Sequence, residues 1–140
     1  MIKNEKQFAI TKKRLRDFET SLKNLIGSSH PEKKLRIKIQ ADAIRSDIKA
    51  LRSEVNEFEK LKKGQVKTLT AHSINELPYI LIKARIARSM SQKDLAETLG
   101  LKEQQIQRYE SNNYASASLS RIEKVVEALN INIEEKATLC

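Results

Sequence analysis

Between Ser91 and Glu110 this chain carries the signals for two short helices joined by one sharp turn. Ser91 can cap a helix start by accepting a backbone N–H. Leu95, Ala96 and Leu99 give the helix that follows a single buried face. Gly100 comes directly after them and can take the left-handed conformation that turns the chain sharply. Ile106 and Tyr109 are then the inward side chains of a second helix. Ala96 is small where the two helices cross, which lets them pack at a steep angle. A helix from about Pro78 to Arg88 precedes the pair, with Leu81, Ile82 and Ile86 inward and Tyr79 as a candidate fourth. Another begins near Ser118, its apolar set being Leu119, Ile122, Val125, Val126 and Leu129.

Composition extends this helical reading to the whole chain of 140 residues, long enough for two small domains. With no Trp, three Tyr and three Phe, the core must rest on Leu, Ile, Val and Ala, and three Gly and two Pro supply few turns for a sheet. Ala, Leu, Glu, Lys, Gln and Arg dominate, residues that lose little side-chain freedom in a helix. The expected fold is all-α.

The first half reads as an antiparallel helical hairpin spanning residues 1–63. Phe8, Leu15, Phe18, Leu22 and Leu25 fall on spacings of seven, three, four and three, the seam of a helix facing one partner. Gly27-Ser28-Ser29-His30 breaks that pattern, and Pro31 suits the first turn of a new helix. Ile37, Ala41, Ile44, Ile48, Leu51, Val55 and Phe58 then alternate four and three, a strict heptad seam of coiled-coil type. Lys63-Gly64 closes the second helix. Ile2, Ile10, Ile26, Ile39 and Leu61 lie off the seams and would stay exposed in an isolated pair, so the hairpin is expected to pack against another chain as well. The alternative is that each helix merely covers the other. Residues 64–72 lack helical period and read as a linker with a short extended piece. Ser73-Ile-Asn-Glu76 has the form of a capping box opening the C-terminal domain, residues 73–140.

Charge separates the halves. The chain carries a formal +9. Residues 1–63 hold 17 basic and 9 acidic side chains, a net +8, against 10 and 9 in residues 64–140. Excess positive charge favours a polyanion. Lys12-Lys13-Arg14 with Arg16, and Lys33-Lys34 with Arg36, are the densest clusters; a solvated helix face is the equal alternative.

On Ser91-Gln92, Leu95-Ala96, Leu99-Gly100, Ile106, Tyr109-Glu110 and the closing Ser120…Ala128-Leu129-Asn130, residues 78–130 resemble the DNA-binding domain of Cro/C1-type regulators, the XRE family. The resemblance implies that the second helix of the pair enters the major groove and presents its early outward side chains to base edges. Those positions are Lys102, Glu103, Gln104, Gln107 and Arg108. Gln pairs bidentately with adenine and Arg with guanine. Glu103 departs from expectation, since phosphates repel a carboxylate; it either accepts from a cytosine amino group or points to solvent. Gln105 lies beside Ile106 and could face the preceding helix. Gln92 is implied to hold a phosphate, with Lys93, Asn112, Asn113, Ser116 and Ser118 as further candidates. Arg85 and Glu110 match a buried ion pair of the family, which makes Glu110 a strut and not a base reader. Asn113 and Tyr114 either approach DNA or close the loop.

The full layout, from Ile2-Lys-Asn-Glu-Lys-Gln-Phe-Ala-Ile-Thr through hairpin and linker to repressor-like domain, resembles antitoxins of the host-inhibition-of-growth class. That implies a protein that represses its own operon and binds a toxin partner. A free-standing regulator whose hairpin only dimerises is one alternative, and a helical protein-interaction module without DNA activity is another. The expected partners are a double-stranded DNA operator and a second copy in a homodimer, joined through the hairpin seams or through the Leu119–Leu129 helix and the Ile131-Asn-Ile133 tail. A basic segment would be repelled by the basic surface a ribonuclease toxin needs, so simple electrostatic capping is disfavoured; the charge could instead embrace DNA phosphates.

Other classes find little footing. His30 and His72 with the terminal Cys140 build no metal site, no Gly-rich phosphate loop exists, and Asp42, Asp47, Glu54 and Glu57 sit on an exposed helix face. No enzyme activity, cofactor or metal is expected. RNA binding lacks an aromatic platform for stacking bases. With no apolar run near the roughly 18 residues that span a bilayer, no membrane association is expected, and with no export signal or disulfide framework a cytoplasmic location is the expectation.

Overall fold

The structure, a computed structural model, describes residues 1–28 and 30–140. Ser29, part of the expected helix break, lies outside the described residues. The chain is all-α and divides into two units, residues 1–60 and 61–140. The division falls inside the last turn of the second helix, short of the expected end at residue 63.

In the first unit α1 spans Glu5–Gly27 and α2 spans Lys34–Lys62, with a 3₁₀ turn, Pro31–Lys33, before α2. Asn4 starts α1: its Oδ1 accepts the Gln7 N–H at 2.9 Å, and Gln7 Oε1 accepts the Lys3 N–H at 2.8 Å in return. This reciprocal cap uses an Asn where the sequence reading saw no start signal. The two helices run antiparallel. The rings of Phe8 and Phe58 stack at 4.8 Å, and further along Arg52 donates to Glu19 Oε1 at 2.6 Å. Ala41, Ile48, Val55 and Phe58 of the heptad seam are buried, whereas no residue of α1 is. Its seam residues Phe8, Leu15, Phe18, Leu22 and Leu25 are half-buried.

Of the five off-seam aliphatics, Ile10, Ile26 and Ile39 are exposed, at 57%, 54% and 63%. Ile2 and Leu61 are buried, contrary to expectation. Ile2 precedes α1, so the helical count never applied to it, and the neighbouring Met1 amino group lies 3.4 Å from Glu54 Oε2. Leu61 sits three residues after Phe58 and simply continues the α2 stripe.

In the second unit, residues 64–71, expected as a linker, have no regular structure; with α3 and residues 130–134 they line a groove of about 790 Å³. The expected capping box is absent. Ser73 makes no side-chain cap, and Glu76 Oε2 instead accepts the His72 N–H at 2.7 Å, within a 3₁₀ turn, Ile74–Glu76. Pro78 stands in the first turn of α3, Leu77–Ala87. That helix buries Leu81, Ile82, Ala84, Arg85 and Ile86 and leaves Tyr79 exposed. Then come α4, Gln92–Thr98; α5, Glu103–Ser111; and α6, Leu119–Ala128. Leu95, Ile106 and Val125 are fully buried, with Ala96 and Leu129 nearly so. Leu119 is 70% exposed and does not belong to the α6 core set. Helical side chains lean toward the N-terminus, and the first residue of a helix has no preceding turn to lean on.

Candidate nucleic-acid interface

Ser91 and Asp94 open α4 reciprocally. Ser91 Oγ accepts the Asp94 N–H at 3.0 Å, and Asp94 Oδ2 accepts the Ser91 N–H at 2.7 Å. The hydrogen bonds from the Ser91 side chain and backbone hold the Asp94 carboxyl below its usual range. After α4, Gly100 takes φ +65°, and the Leu101 N–H returns to the Ala96 carbonyl at 2.8 Å. This is the sharp turn that delivers α5, and it requires a conformation costly for any residue with a Cβ.

A buried polar cluster then fixes how α5 is rotated. Glu110, fully buried near its C-terminal end, accepts from Arg85 of α3 through both oxygens: Nε to Oε1 at 2.6 Å and Nη2 to Oε2 at 2.8 Å. Arg85 Nη1 also donates to the Met90 carbonyl at 2.8 Å. Gln92 Nε2, at the start of α4, donates to Glu110 Oε2 at 2.7 Å. One carboxylate thus ties three helices by charge-assisted, partly bidentate bonds. Gln92, expected at a phosphate, is buried and directs its amide nitrogen into this cluster.

Past α5 the chain closes through two residues in the left-handed region, Asn113 at φ +52° and Tyr114 at φ +57°. Tyr114 is buried, its ring 5.8 Å from that of Tyr109. Burial, and then the Glu110 carboxylate, push its hydroxyl far above the ordinary tyrosine range. Tyr114 therefore closes the loop, and Asn113 donates to the Tyr79 hydroxyl at 3.3 Å. Asn112 Nδ2 donates to Ser116 Oγ at 2.9 Å, and Ser118 Oγ caps α6 by accepting the Arg121 N–H at 3.1 Å. Four of the phosphate candidates, Asn112, Asn113, Ser116 and Ser118, are thus engaged in shaping the α5–α6 loop.

With Ile106 and Glu110 turned inward, the other side of α5 is left to solvent. Lys102, Glu103, Gln104, Gln105, Gln107 and Arg108 are all exposed. Gln105 does not face α4; its Oε1 accepts the Lys102 N–H at 3.0 Å and caps the helix start. Glu103 Oε1 accepts from Gln107 Nε2 at 3.0 Å, an i,i+4 bond that the sequence reading did not consider. Gln104 and Arg108 make no side-chain hydrogen bond among the described residues. On α4, Lys93 is exposed, its Nζ 3.8 Å from Glu97. The structure therefore brings Lys102, Glu103, Gln104, Gln107 and Arg108 onto one face and turns Gln92 away from it. A face of long amides and cations with one carboxylate, Glu103, and without apolar anchors suits hydrogen-bonding to base edges and phosphates.

Residues 81–136 match the helix-turn-helix family. Neither the curated proteins nor the solved structures include a match to the chain. The C-terminal unit carries a helix-turn-helix domain of this DNA-binding type, with α4 and α5 as the pair. Among the described residues no group of His, Cys, Asp and Glu could hold a metal ion, and no helix is long and apolar enough to cross a membrane.

Proposed function

We propose that the chain is a sequence-specific transcriptional regulator that binds its operator as a homodimer through α5. The single observation that carries this is the exposed Lys102–Arg108 face on a helix locked from behind by Glu110. Gln104 and Arg108 read base edges, each supplying roughly 1–3 kcal/mol of discrimination. Gln107 reads with its amide oriented by Glu103, and Lys93 and Lys102 approach phosphates. Two copies engage half-sites about one helical turn apart.

The finer reading is that the protein is the antitoxin and autorepressor of a toxin–antitoxin module. Its support is the layout of hairpin and repressor-like domain, together with the exposed aliphatics Ile10, Ile26, Leu35 and Ile39, which leave the hairpin with apolar surface for another protein. The test is electrophoretic mobility shift on DNA immediately upstream of the chain's own coding sequence. Wild type should shift it specifically, and Gln104→Ala/Arg108→Ala should weaken that shift at least about tenfold, the lower end of the base-contact range. A well-folded wild type that does not distinguish this DNA from a scrambled duplex would sink the regulator reading.

A further inference from the structure

The hairpin concentrates positive charge on one face. On α2, Lys34, Lys38, Arg45, Lys49, Arg52 and Lys60 recur at spacings of four, seven, four, three and eight. Helical geometry puts these along one edge, a line about 40 Å long at 1.5 Å per residue. On α1, Lys12, Lys13, Arg16 and Lys23 form the corresponding edge. Two cross-helix ion pairs show that both edges border the same face: Lys12 lies 3.5 Å from Glu59, and Arg52 lies 2.6 Å from Glu19. The other edge of α2 carries Asp47, Glu54 and Glu57 with Arg36, while Asp42 stands on the basic edge 3.0 Å from Arg45.

Most of the cations on the basic face are uncommitted. Arg16, Lys23, Lys34, Lys38, Lys49 and Lys60 are exposed and have no ion-pair partner among the described residues. A helix surface built only for solubility interleaves both signs evenly; on this face the cations outnumber the carboxylates Glu5, Glu19, Asp42 and Glu59, although Arg36 stands on the opposite edge. Its middle also lacks large apolar side chains, Leu35 bordering one end. Leu35 and Ile39 follow Lys34 and Lys38 by one residue, which turns them about a quarter of the way round the helix, and Phe8 and Phe58 are stacked in the seam. A lipid surface would call for apolar anchors beside the charges, and single-stranded nucleic acid for aromatic platforms. A ladder of point charges with neither fits the evenly charged backbone of a duplex.

We propose that this face is a second, sequence-independent DNA contact, made along phosphates of the duplex that α5 reads. The inference rests on the DNA-binding reading above. A tethered second contact raises affinity for every sequence by the same factor, because its engagement is intramolecular once α5 has bound. It therefore changes salt dependence and leaves the preference among sequences untouched.

The test uses the full chain in fluorescence-anisotropy titrations against two duplexes, the DNA upstream of its coding sequence and a scrambled version, across a salt series. Lys34→Gln/Lys38→Gln/Lys49→Gln is compared with wild type and with Lys67→Gln/Lys124→Gln/Lys136→Gln, which removes equal charge elsewhere; circular dichroism checks each fold. The hairpin variant should have a log–log salt slope shallower by about 2–3, so that its affinity falls roughly 40-fold less than wild type between about 50 and 200 mM salt. Its ratio of affinities for the two duplexes should match wild type. A slope equal to wild type, or one reduced equally in the second variant, overturns the proposal. So does a wild-type slope joined to binding of anionic phospholipid vesicles that the hairpin variant loses. If wild type binds both duplexes equally while the hairpin variant still flattens the slope, the operator reading falls and the phosphate face stands.

Discussion

The two units reach order by different means. The hairpin relies on repetition: a heptad seam whose α2 side is partly buried and whose α1 side is never more than half-buried. The C-terminal unit packs Leu95, Ile106 and Val125 to zero exposure and adds a buried ionic cluster, Arg85–Glu110–Gln92. Repetition specifies a helix and its inward side, but heptads alone tolerate shifts and exchange of partners. A buried carboxylate that needs donors from two other helices accepts one arrangement of all three. The comparison separates a seam left half-exposed on one side from a core closed around a buried charge.

The largest expected effect tests the cluster. Glu110→Ala leaves Arg85 buried without its partner, at a cost of about 3–5 kcal/mol, comparable to much of a small domain's stability. Thermal melting should show the C-terminal unit unfolded or strongly destabilised, and a wild-type melting temperature would refute the strut role. Next comes the packing contrast. Ile106→Ala should cost about 2–5 kcal/mol by denaturant titration, whereas Leu15→Ala, half-buried on α1, should cost about half of that or less. Equal losses would erase the distinction between the units.

A smaller effect probes the turn. A Cβ on Gly100 would meet no atom within 4 Å, so Gly100→Ala tests conformation without steric crowding. At φ +65° it should lose roughly 1–2 kcal/mol. The smallest is a pH effect at the start of α4. The Asp94 carboxyl is lowered in the folded protein, so it stabilises fully above its unfolded pKa, near 3.9, and that share is lost as pH falls through the folded value. Asp94→Asn should therefore narrow the gap to wild type as titrations move from neutral to strongly acidic pH. A gap that does not change with pH would show that the charge contributes nothing there.

Much of this was legible in the residues. Strict periodicity drew α2, and the Ser91, Gly100 and Ser118 signals bounded α4 to α6, because caps and turns are decided by neighbours in sequence. What stayed hidden depended on a choice between near neighbours or on partners far along the chain. Glu76 captures the His72 N–H while Ser73 makes no cap, and Ile2 is buried although it lies outside any helix. At the candidate site the outward face of α5 followed from its inward residues, Ile106 and Glu110. The bonds among its side chains did not. Gln105 to the Lys102 backbone and Gln107 to Glu103 are choices among rotamers, which spacing leaves open.

The fixing of α5 from behind has a consequence for how such a protein changes over generations. Glu110, Gln92 and Arg85 set the helix's orientation from inside, and Gln104 and Arg108 contribute nothing to it. If they read bases as proposed, exchanging those two would alter which bases are recognised without loosening the scaffold that presents them. Duplicated copies can therefore part ways in target while remaining equally foldable, and the burden of new specificity falls on a few replaceable side chains.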